Sequence, residues 1–290
     1  MCVYSIEEMV VGLALTDTPV GYTPPIGPSA KVMLAFNQRE DSQPANFSFF
    51  NVSPKWTLNW LSYVQDDPKT AGSNVMRYLR GGGAYYYTGY NGTTGAFTPQ
   101  TDDASVLVLV SKSAVKYQRF LKDGRVETYT QSDGSAISPR RGFLTQLADP
   151  AGNTVILNYD TSLRLTSFTD ATGRSTTFSY NLPGKPLLVT AITGPFGRSA
   201  TLTYDGMGRL SSITDVLGLT SSFTYDASSL VNSMTTPYGT THFAYGNTAS
   251  SRTLQITDPL GYSERAEFQN GGPVAFSDPP DTLPQGMSVF

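Results

Sequence analysis

A unit of about 21 residues recurs between residues 147 and 270. Six glycines mark it at spacings of 21, 24, 21, 21 and 22: Gly152, Gly173, Gly197, Gly218, Gly239 and Gly261. Five tyrosines keep the same period: Tyr159, Tyr180, Tyr204, Tyr225 and Tyr245. A fixed period of this length indicates an array of small units, each of which buries its apolar side against its neighbours.

Each unit predicts two antiparallel strands and two tight turns. An Asp-x-x-Gly sequence, with the aspartates Asp149, Asp170, Asp215 and Asp258, is the preferred chemistry of a type I turn. Apolar residues then follow two apart, as in Phe223 and Tyr225, which places both on one face of a strand. The return strands, such as residues 210–214, space their apolar residues by three, which predicts either a β-bulge or an environment that is buried on both faces.

Composition supports an all-β fold of stacked hairpins. Of the 290 residues only 15% are charged, whereas Ser and Thr together number 65 and Gly and Pro together 46. The length allows one large all-β domain or two ordinary ones. A net charge of −3 gives no basic surface, so nucleic acid is not an expected partner. Residues 9–15 are too short an apolar run to span a bilayer, and the acidic start does not resemble a secretory signal.

The chain contains one cysteine and one histidine, which excludes several kinds of covalent and metal site. Cys2 cannot form an intrachain disulfide, and the chain cannot assemble a Cys/His zinc site. His242 falls in a strand-like stretch, where an exposed strand histidine is expected rather than a catalytic one. We expect no metal and no cofactor.

The repeats resemble those of the Rhs family, whose units are called YD repeats. The family pattern of Thr-Asp-x-x-Gly-Arg followed by Phe-x-Tyr-Asp is met almost in full by residues 168–180 and 202–215, with departures at Gly194 and Thr236, and at Asn181 and Gly246 after their tyrosines. Residues 122–129 read as a degenerate unit, and residues 55–60 and 78–83 resemble the segment that leads into the repeats. The resemblance implies a continuous spiralling sheet, running from about residue 30 to 275, that forms a shell around a cargo.

The predicted organisation has four parts. Residues 1–30 are an N-terminal segment with a Pro-rich loop, 31–140 a β-rich lead-in, 141–275 the repeats and 276–290 a Pro-rich tail. Strands are predicted in the lead-in at residues 31–36, 46–50, 56–64, 85–87, 106–110 and 126–129. Residues 264–270 are expected to form an exposed last strand, with Ala266 and Phe268 facing the core.

The candidate functional residues have structural alternatives. The repeated aspartates suit turns better than a carboxylate pair, because each occupies the turn position that favours Asp for backbone reasons. Tyr85, Tyr86, Tyr87 and Tyr90 are the best candidates for a sugar- or peptide-stacking surface, with strand packing as the alternative. The family resemblance also implies an autoprotease near an Asp-Pro-x-Gly-Leu motif. Residues 258–262 are close to that motif, but Tyr262 replaces its leucine, so we interpret them as an ordinary repeat turn.

The sequence therefore predicts a non-catalytic structural fragment of an Rhs-type shell. The resemblance implies that it encloses or presents a C-terminal toxin or effector cargo in bacterial competition or virulence. The expected partners are that cargo or the rest of the shell. The alternative is a surface module that binds carbohydrate or protein, with a cell-surface glycan as its partner; a glycosidase is a third, weaker hypothesis. The expected location is secreted or on the cell surface, by a signal or machine not visible in the chain.

Overall fold

A computed structural model describes residues 1–111, 114–249, 251–269 and 287–289. All regular structure in these residues is β-strand, which confirms the predicted fold class. The strands form two sheets. The smaller one contains four antiparallel strands, in the order β1 (Val3–Glu7), β2 (Gly12–Val20), β3 (Val32–Asn37) and β4 (Trp56–Leu58).

The larger sheet contains 18 antiparallel strands, β5 to β22. Its first seven strands are β5 (Tyr63–Asp66), β6 (Val75–Tyr78), β7 (Ala84–Tyr87), β8 (Val106–Ser111), β9 (Lys116–Phe120), β10 (Val126–Ser132) and β11 (Arg140–Ala148). β11 pairs along one edge with β10 and along the other with β5. β7 and β8 are linked through residues 96–98, because the Thr98 amide donates to the Thr88 carbonyl and the Phe97 amide donates to the Leu107 carbonyl, both at 2.9 Å. These seven strands therefore close into a ring.

The repeats form a ladder that continues from the far half of β11. Its strands are β12 (Thr154–Tyr159), β13 (Leu165–Thr169), β14 (Ser175–Ser179), β15 (Ala191–Thr193), β16 (Ser199–Tyr204), β17 (Leu210–Thr214), β18 (Thr220–Tyr225), β19 (Val231–Thr236), β20 (Gly239–Asn247), β21 (Ser251–Thr257) and β22 (Ser263–Gln269). The bulges predicted from the spacing of three are present, since the register shifts at Tyr159, Tyr204 and Tyr225. Each shift lets two apolar residues three apart, such as Leu210 and Ile213, both face the core.

The buried face of the repeats is covered by the smaller sheet. Alternate residues of each strand point toward it, so that Phe223 is buried while its neighbours are polar and Thr224 is exposed. The other face is lined with hydroxyls that hydrogen-bond across strands, as between Thr214 and Thr220 at 2.8 Å. His242 is exposed on this outer face, as the strand pattern predicts.

The lead-in departs from the predictions. The single continuous sheet from about residue 30 is wrong, because β3 and β4 belong to the smaller sheet and β5 starts the larger one. Residues 46–50 are not a strand, and residues 56–64 contain two strands separated by a turn. The first 20 residues, for which no strands were predicted, supply β1 and β2.

The C-terminal end also differs from the prediction. β22 is not an open edge, because β23 (Met287–Val289) pairs with it in parallel. Phe268 does not face the core: it is 40% exposed, and the Arg252 guanidinium lies 5.6 Å from its ring centroid. Ala266 is buried as expected. The rest of the predicted Pro-rich tail lies outside the described residues.

Candidate functional site

The Asp-x-x-Gly turns use their carboxylates to hold the backbone. Asp215 Oδ1 accepts hydrogen bonds from the amides of Leu217 (2.8 Å) and Leu219 (3.0 Å). Asp149, Asp170 and Asp258 make the same two contacts to the residues two and four positions later. Although burial opposes ionisation of Asp170, hydrogen bonds from Tyr22 and the Arg174 amide outweigh it and lower its pKa. The carboxylates therefore act as turn anchors.

The glycine that closes such a turn lies in left-handed backbone. Gly218 has φ +82°, and a Cβ there would meet nothing within 4 Å, so strain is the sole cost of a side chain. Replacing Gly218 with Val should lower the free energy of unfolding by about 1–3 kcal/mol, because a β-branched residue is strained at this φ. Thr220→Val, at an exposed strand position two residues later, is the control. Urea denaturation compares them, and equal shifts in midpoint would contradict the turn assignment.

Each repeat tyrosine fastens its unit to the preceding one. The hydroxyls of Tyr159, Tyr180, Tyr204 and Tyr225 each donate to a backbone carbonyl 15 residues earlier, and that of Tyr245 to one 14 residues earlier, at 2.5–2.8 Å. Burial raises the pKa of these tyrosines above its ordinary value, which keeps the hydroxyls protonated as donors. The tyrosines are thus connectors between units.

Removing one of these hydroxyls should weaken the array locally. Tyr180→Phe keeps the ring, including its contact with Arg164, whose guanidinium lies 5.3 Å from the ring centroid, but leaves the Leu165 carbonyl without this donor. We expect a loss of about 1–2 kcal/mol in the free energy of unfolding. Tyr238→Phe is the control because Tyr238 is 78% exposed. Thermal melts of both variants measure the difference, and a Tyr180 variant as stable as its control would show that the bond contributes nothing.

The aspartate that follows a repeat tyrosine also links two units. Asp205 Oδ2 pairs with Arg209 Nε at 2.7 Å, and the Arg209 guanidinium lies 4.7 Å from the ring centroid of Tyr225 in the next unit. Asp160, Arg164 and Tyr180 repeat this arrangement two units earlier. The aspartate of the Tyr-Asp pair and the arginine of Gly-Arg-Leu therefore form an ion pair, and the arginine also contacts the tyrosine ring of the next unit.

Aromatic side chains in β4 and directly after it pack on two separate repeats. Trp60 stacks on Phe168 with centroids 4.2 Å apart, and Trp56 lies 4.8 Å from Phe223. Trp56 Nε1 also donates to the hydroxyl of Tyr225 at 2.9 Å. Both tryptophans are fully buried. The repeat face is thus a surface that buries polypeptide.

The four candidate tyrosines, Tyr85, Tyr86, Tyr87 and Tyr90, do not share one environment, because successive residues of a strand point to opposite faces. Tyr87 lies fully buried inside the ring, where its hydroxyl is 2.8 Å from Ser105 Oγ. Tyr86 points outward and is 67% exposed, while Tyr85 is half-buried. Tyr90 packs on Phe97 with centroids 5.1 Å apart. The structure does not bring the four rings onto one stacking surface, so ligand binding here stays a prediction that concerns Tyr86 first.

A charged network that the sequence did not reveal fills the ring. Glu127 Oε2 accepts hydrogen bonds from Arg77 (2.8 Å), Arg119 (3.0 Å) and the Tyr129 hydroxyl (2.8 Å). Arg119 also pairs with Asp103. Burial opposes ionisation of Glu127, but the guanidinium groups of Arg77 and Arg119 outweigh it, so the pKa of Glu127 lies below its usual value. The network is internally paired, which suits a structural role.

The described residues offer neither a metal-binding cluster nor a membrane-spanning helix. They contain no cluster of three or more His, Cys, Asp or Glu side chains that could hold a metal ion. No helix among them has the length and apolarity to cross a membrane.

Comparison with known families agrees with the repeat geometry. Residues 188–220 and 208–241 match the family model described as RHS Repeat. No curated protein matches the chain. The matched residues extend from Leu188 to Thr241 and lie within the ladder β12–β22, whose turns and tyrosines follow the same unit on either side.

Proposed function

We propose that this chain, an RHS-repeat protein, is a non-catalytic structural segment of an Rhs-type β-shell. Its task is to enclose or present a C-terminal toxin or effector cargo in bacterial competition or virulence, as a secreted or cell-surface protein. The proposal rests on one observation: in each unit a tyrosine hydroxyl donates a hydrogen bond to a backbone carbonyl of the preceding unit. Such a ladder extends without a catalytic centre of its own.

The covered face shows that the repeats can bury polypeptide, which a shell around a cargo must also do. It packs polypeptide through Phe168, Phe223 and Phe243, which contact aromatic residues of the N-terminal 60 residues. The N-terminal 60 residues, both in β1–β4 and in the segments beside these strands, already cover this face of the described repeats. A C-terminal cargo is therefore expected to lie at the edge formed by β22 and β23 rather than against β12–β21.

A protection experiment tests the cargo role. An unfolded, protease-sensitive reporter of about 100 residues is fused after Phe290, and in a second protein the same reporter precedes Met1. Enclosure predicts at least tenfold slower cleavage of the C-terminal reporter alone. Presentation predicts slower amide hydrogen exchange in β22 when the C-terminal reporter is attached. Equal cleavage together with unchanged exchange in β22 would overturn the cargo role.

The absence of catalysis is tested separately. The purified chain should show no turnover on a broad panel of glycosides and peptides, since the repeat carboxylates are engaged in turns. Turnover that disappears in Asp170→Asn or Asp215→Asn, with folding intact by circular dichroism, would overturn the structural role.

A surface binding module is the second candidate, and the exposure of Tyr86 favours it. A flat aromatic ring that is 67% exposed can stack on a sugar. Glycan-array binding that is lost in Tyr86→Ala and kept in Tyr86→Phe would establish this function. Loss in neither variant, or no binding by the native chain, would exclude Tyr86 as the binding residue.

A further inference from the structure

Four large apolar side chains occupy the same position of four successive turns at one edge of the repeat ladder. Phe196, Leu217, Tyr238 and Leu260 each directly precede a turn glycine, and their exposures are 64%, 70%, 78% and 81%. The two earlier turns carry Ala151 and Thr172 instead. We call the four side chains the turn ridge.

The turn ridge is a continuous feature of the edge. Adjacent repeats are two strands apart, or about 10 Å, so the ridge extends for about 30 Å. The turns that carry Tyr238 and Leu260 approach each other closely, because a Cβ at Gly239 would lie 2.6 Å from the Cβ of Pro259. Turn chemistry favours small and polar residues here, and a row of exposed apolar side chains marks an interaction surface.

A cleft opens beside the first member of the ridge. It has a volume of about 330 Å³ and is lined largely by apolar groups, including Val20, Tyr22, Pro195, Phe196 and Val216. The Tyr22 and Phe196 rings meet edge to face with centroids 5.4 Å apart and form one wall. The cleft has room for one branched aliphatic side chain.

Charges at the two ends of the ridge are opposite. Arg198 lines the cleft, and the Arg174 guanidinium lies 5.4 Å from the Phe196 ring centroid. Within the described residues neither arginine forms a salt bridge. At the other end Asp258 holds the turn that presents Leu260, and Glu264 follows on β22.

We propose that two copies of this chain associate through their turn ridges, antiparallel and related by a two-fold axis. Leu260 of each copy enters the cleft beside Phe196 of the other, and Leu217 of each faces Tyr238 of the other. Arg198 then meets Asp258 of the second copy, so that opposite charges pair at both ends. A single surface that carries both the projecting side chain and the receiving cleft is self-complementary, which is what a two-fold interface requires.

The exposed area is sufficient for such a pair. A large side chain offers about 150–250 Å² of surface, so the four ridge residues expose about 550 Å² between them. The cleft walls bring the area available for burial to about 650 Å² per copy at most, which is at the low end of the roughly 600–1,000 Å² that each partner contributes to a stable complex.

The oligomeric state of the 290-residue chain tests the proposal. Sedimentation equilibrium should show a monomer–dimer equilibrium that Leu217→Glu or Leu260→Glu weakens at least tenfold. Met207→Glu is the matched control, because Met207 is 69% exposed before a turn glycine at the opposite edge. A native chain that stays monomeric at high concentration, equal weakening by Met207→Glu, or open-ended polymers would each overturn the proposal.

Cross-linking tests the antiparallel register. With Phe196→Cys and Leu260→Cys in one chain, mild oxidation should give a covalent dimer, while Leu260→Cys alone should give none because the two copies of residue 260 lie at opposite ends. The native Cys2 is buried and does not compete. Folding of each variant is checked by its melting temperature. A dimer from the single variant, or none from the double variant, would contradict this arrangement.

Discussion

Glu127→Gln should lower the free energy of unfolding at pH 7 by about 3–5 kcal/mol. The substitution leaves Arg77 and Arg119, which are both buried, without the carboxylate that they share at 2.8 and 3.0 Å. Removing one partner of a buried ionic network is strongly destabilising because a buried charge is left unpaired. Arg77 loses the carboxylate with which it forms its ion pair, whereas Arg119 keeps its pair with Asp103. Urea denaturation, followed by tryptophan fluorescence, measures the loss.

The pH dependence of this loss has a defined sign. Because the folded pKa of Glu127 is depressed, its contribution to stability is present above the unfolded pKa of about 4.3 and disappears as the pH falls through the folded value. The difference between native chain and variant should stay constant from about pH 8 to pH 5 and narrow below about pH 4.

A surface carboxylate in the same hairpin provides the control. Asp123 pairs with Arg125 at 2.7 Å, but both side chains are more than half exposed. Asp123→Asn should leave the urea midpoint unchanged. A Glu127→Gln variant that behaves like Asp123→Asn would show that the network in the ring is not needed for stability.

The repeat ladder could be predicted because its turns and strands are specified by residues that lie close together in the sequence. Asp215 and Gly218 specify a turn within four residues, and Phe223 and Tyr225 specify a strand face within three. Even the bulge at Tyr225 follows from the spacing between the apolar residues of the return strand. Interactions of this kind need no knowledge of which distant segment lies opposite.

The ring could not be predicted in the same way. Arg77, Arg119 and Glu127 are separated by 42 and 8 residues, and no spacing rule connects them. Strand alternation contained a partial signal, because Arg119 lies two residues from Tyr117 and Glu127 two from Tyr129, and both tyrosines are buried. Only ring closure through residues 96–98 shows that these faces meet.

The position of the N-terminal segment depends on tertiary contacts for the same reason. β2 has a strand-like alternation, with buried Leu13 and Leu15. The partner of this segment lies in repeats that are more than 100 residues away, as the bond from the Cys2 amide to Ser221 Oγ at 2.9 Å illustrates. Local patterns identify such a strand but not the sheet that it covers.

Trp60→Ala should detach the smaller sheet from the repeats, at a cost of about 3–5 kcal/mol. Trp60 is fully buried, its ring stacks on Phe168 at 4.2 Å, and its Nε1 donates to the Lys31 carbonyl at 3.1 Å. Truncation of a buried tryptophan removes apolar contacts and leaves a cavity that neighbouring residues fill only in part. Because β1–β4 form a separate sheet, the loss should appear first as local opening of this sheet.

Hydrogen exchange and limited proteolysis distinguish local opening from global unfolding. Faster exchange in β1–β4 with unchanged exchange in β16–β18, and new cleavage in the loop at residues 21–30, would show that the sheet opens on an intact ladder. Trp56→Phe is the matched control: it keeps a ring against Phe223 and loses the indole bond to Tyr225, for about 1 kcal/mol. If Trp60→Ala accelerates exchange equally in both sheets, they unfold as one unit, and the repeat ladder then depends on the N-terminal segment for its own stability.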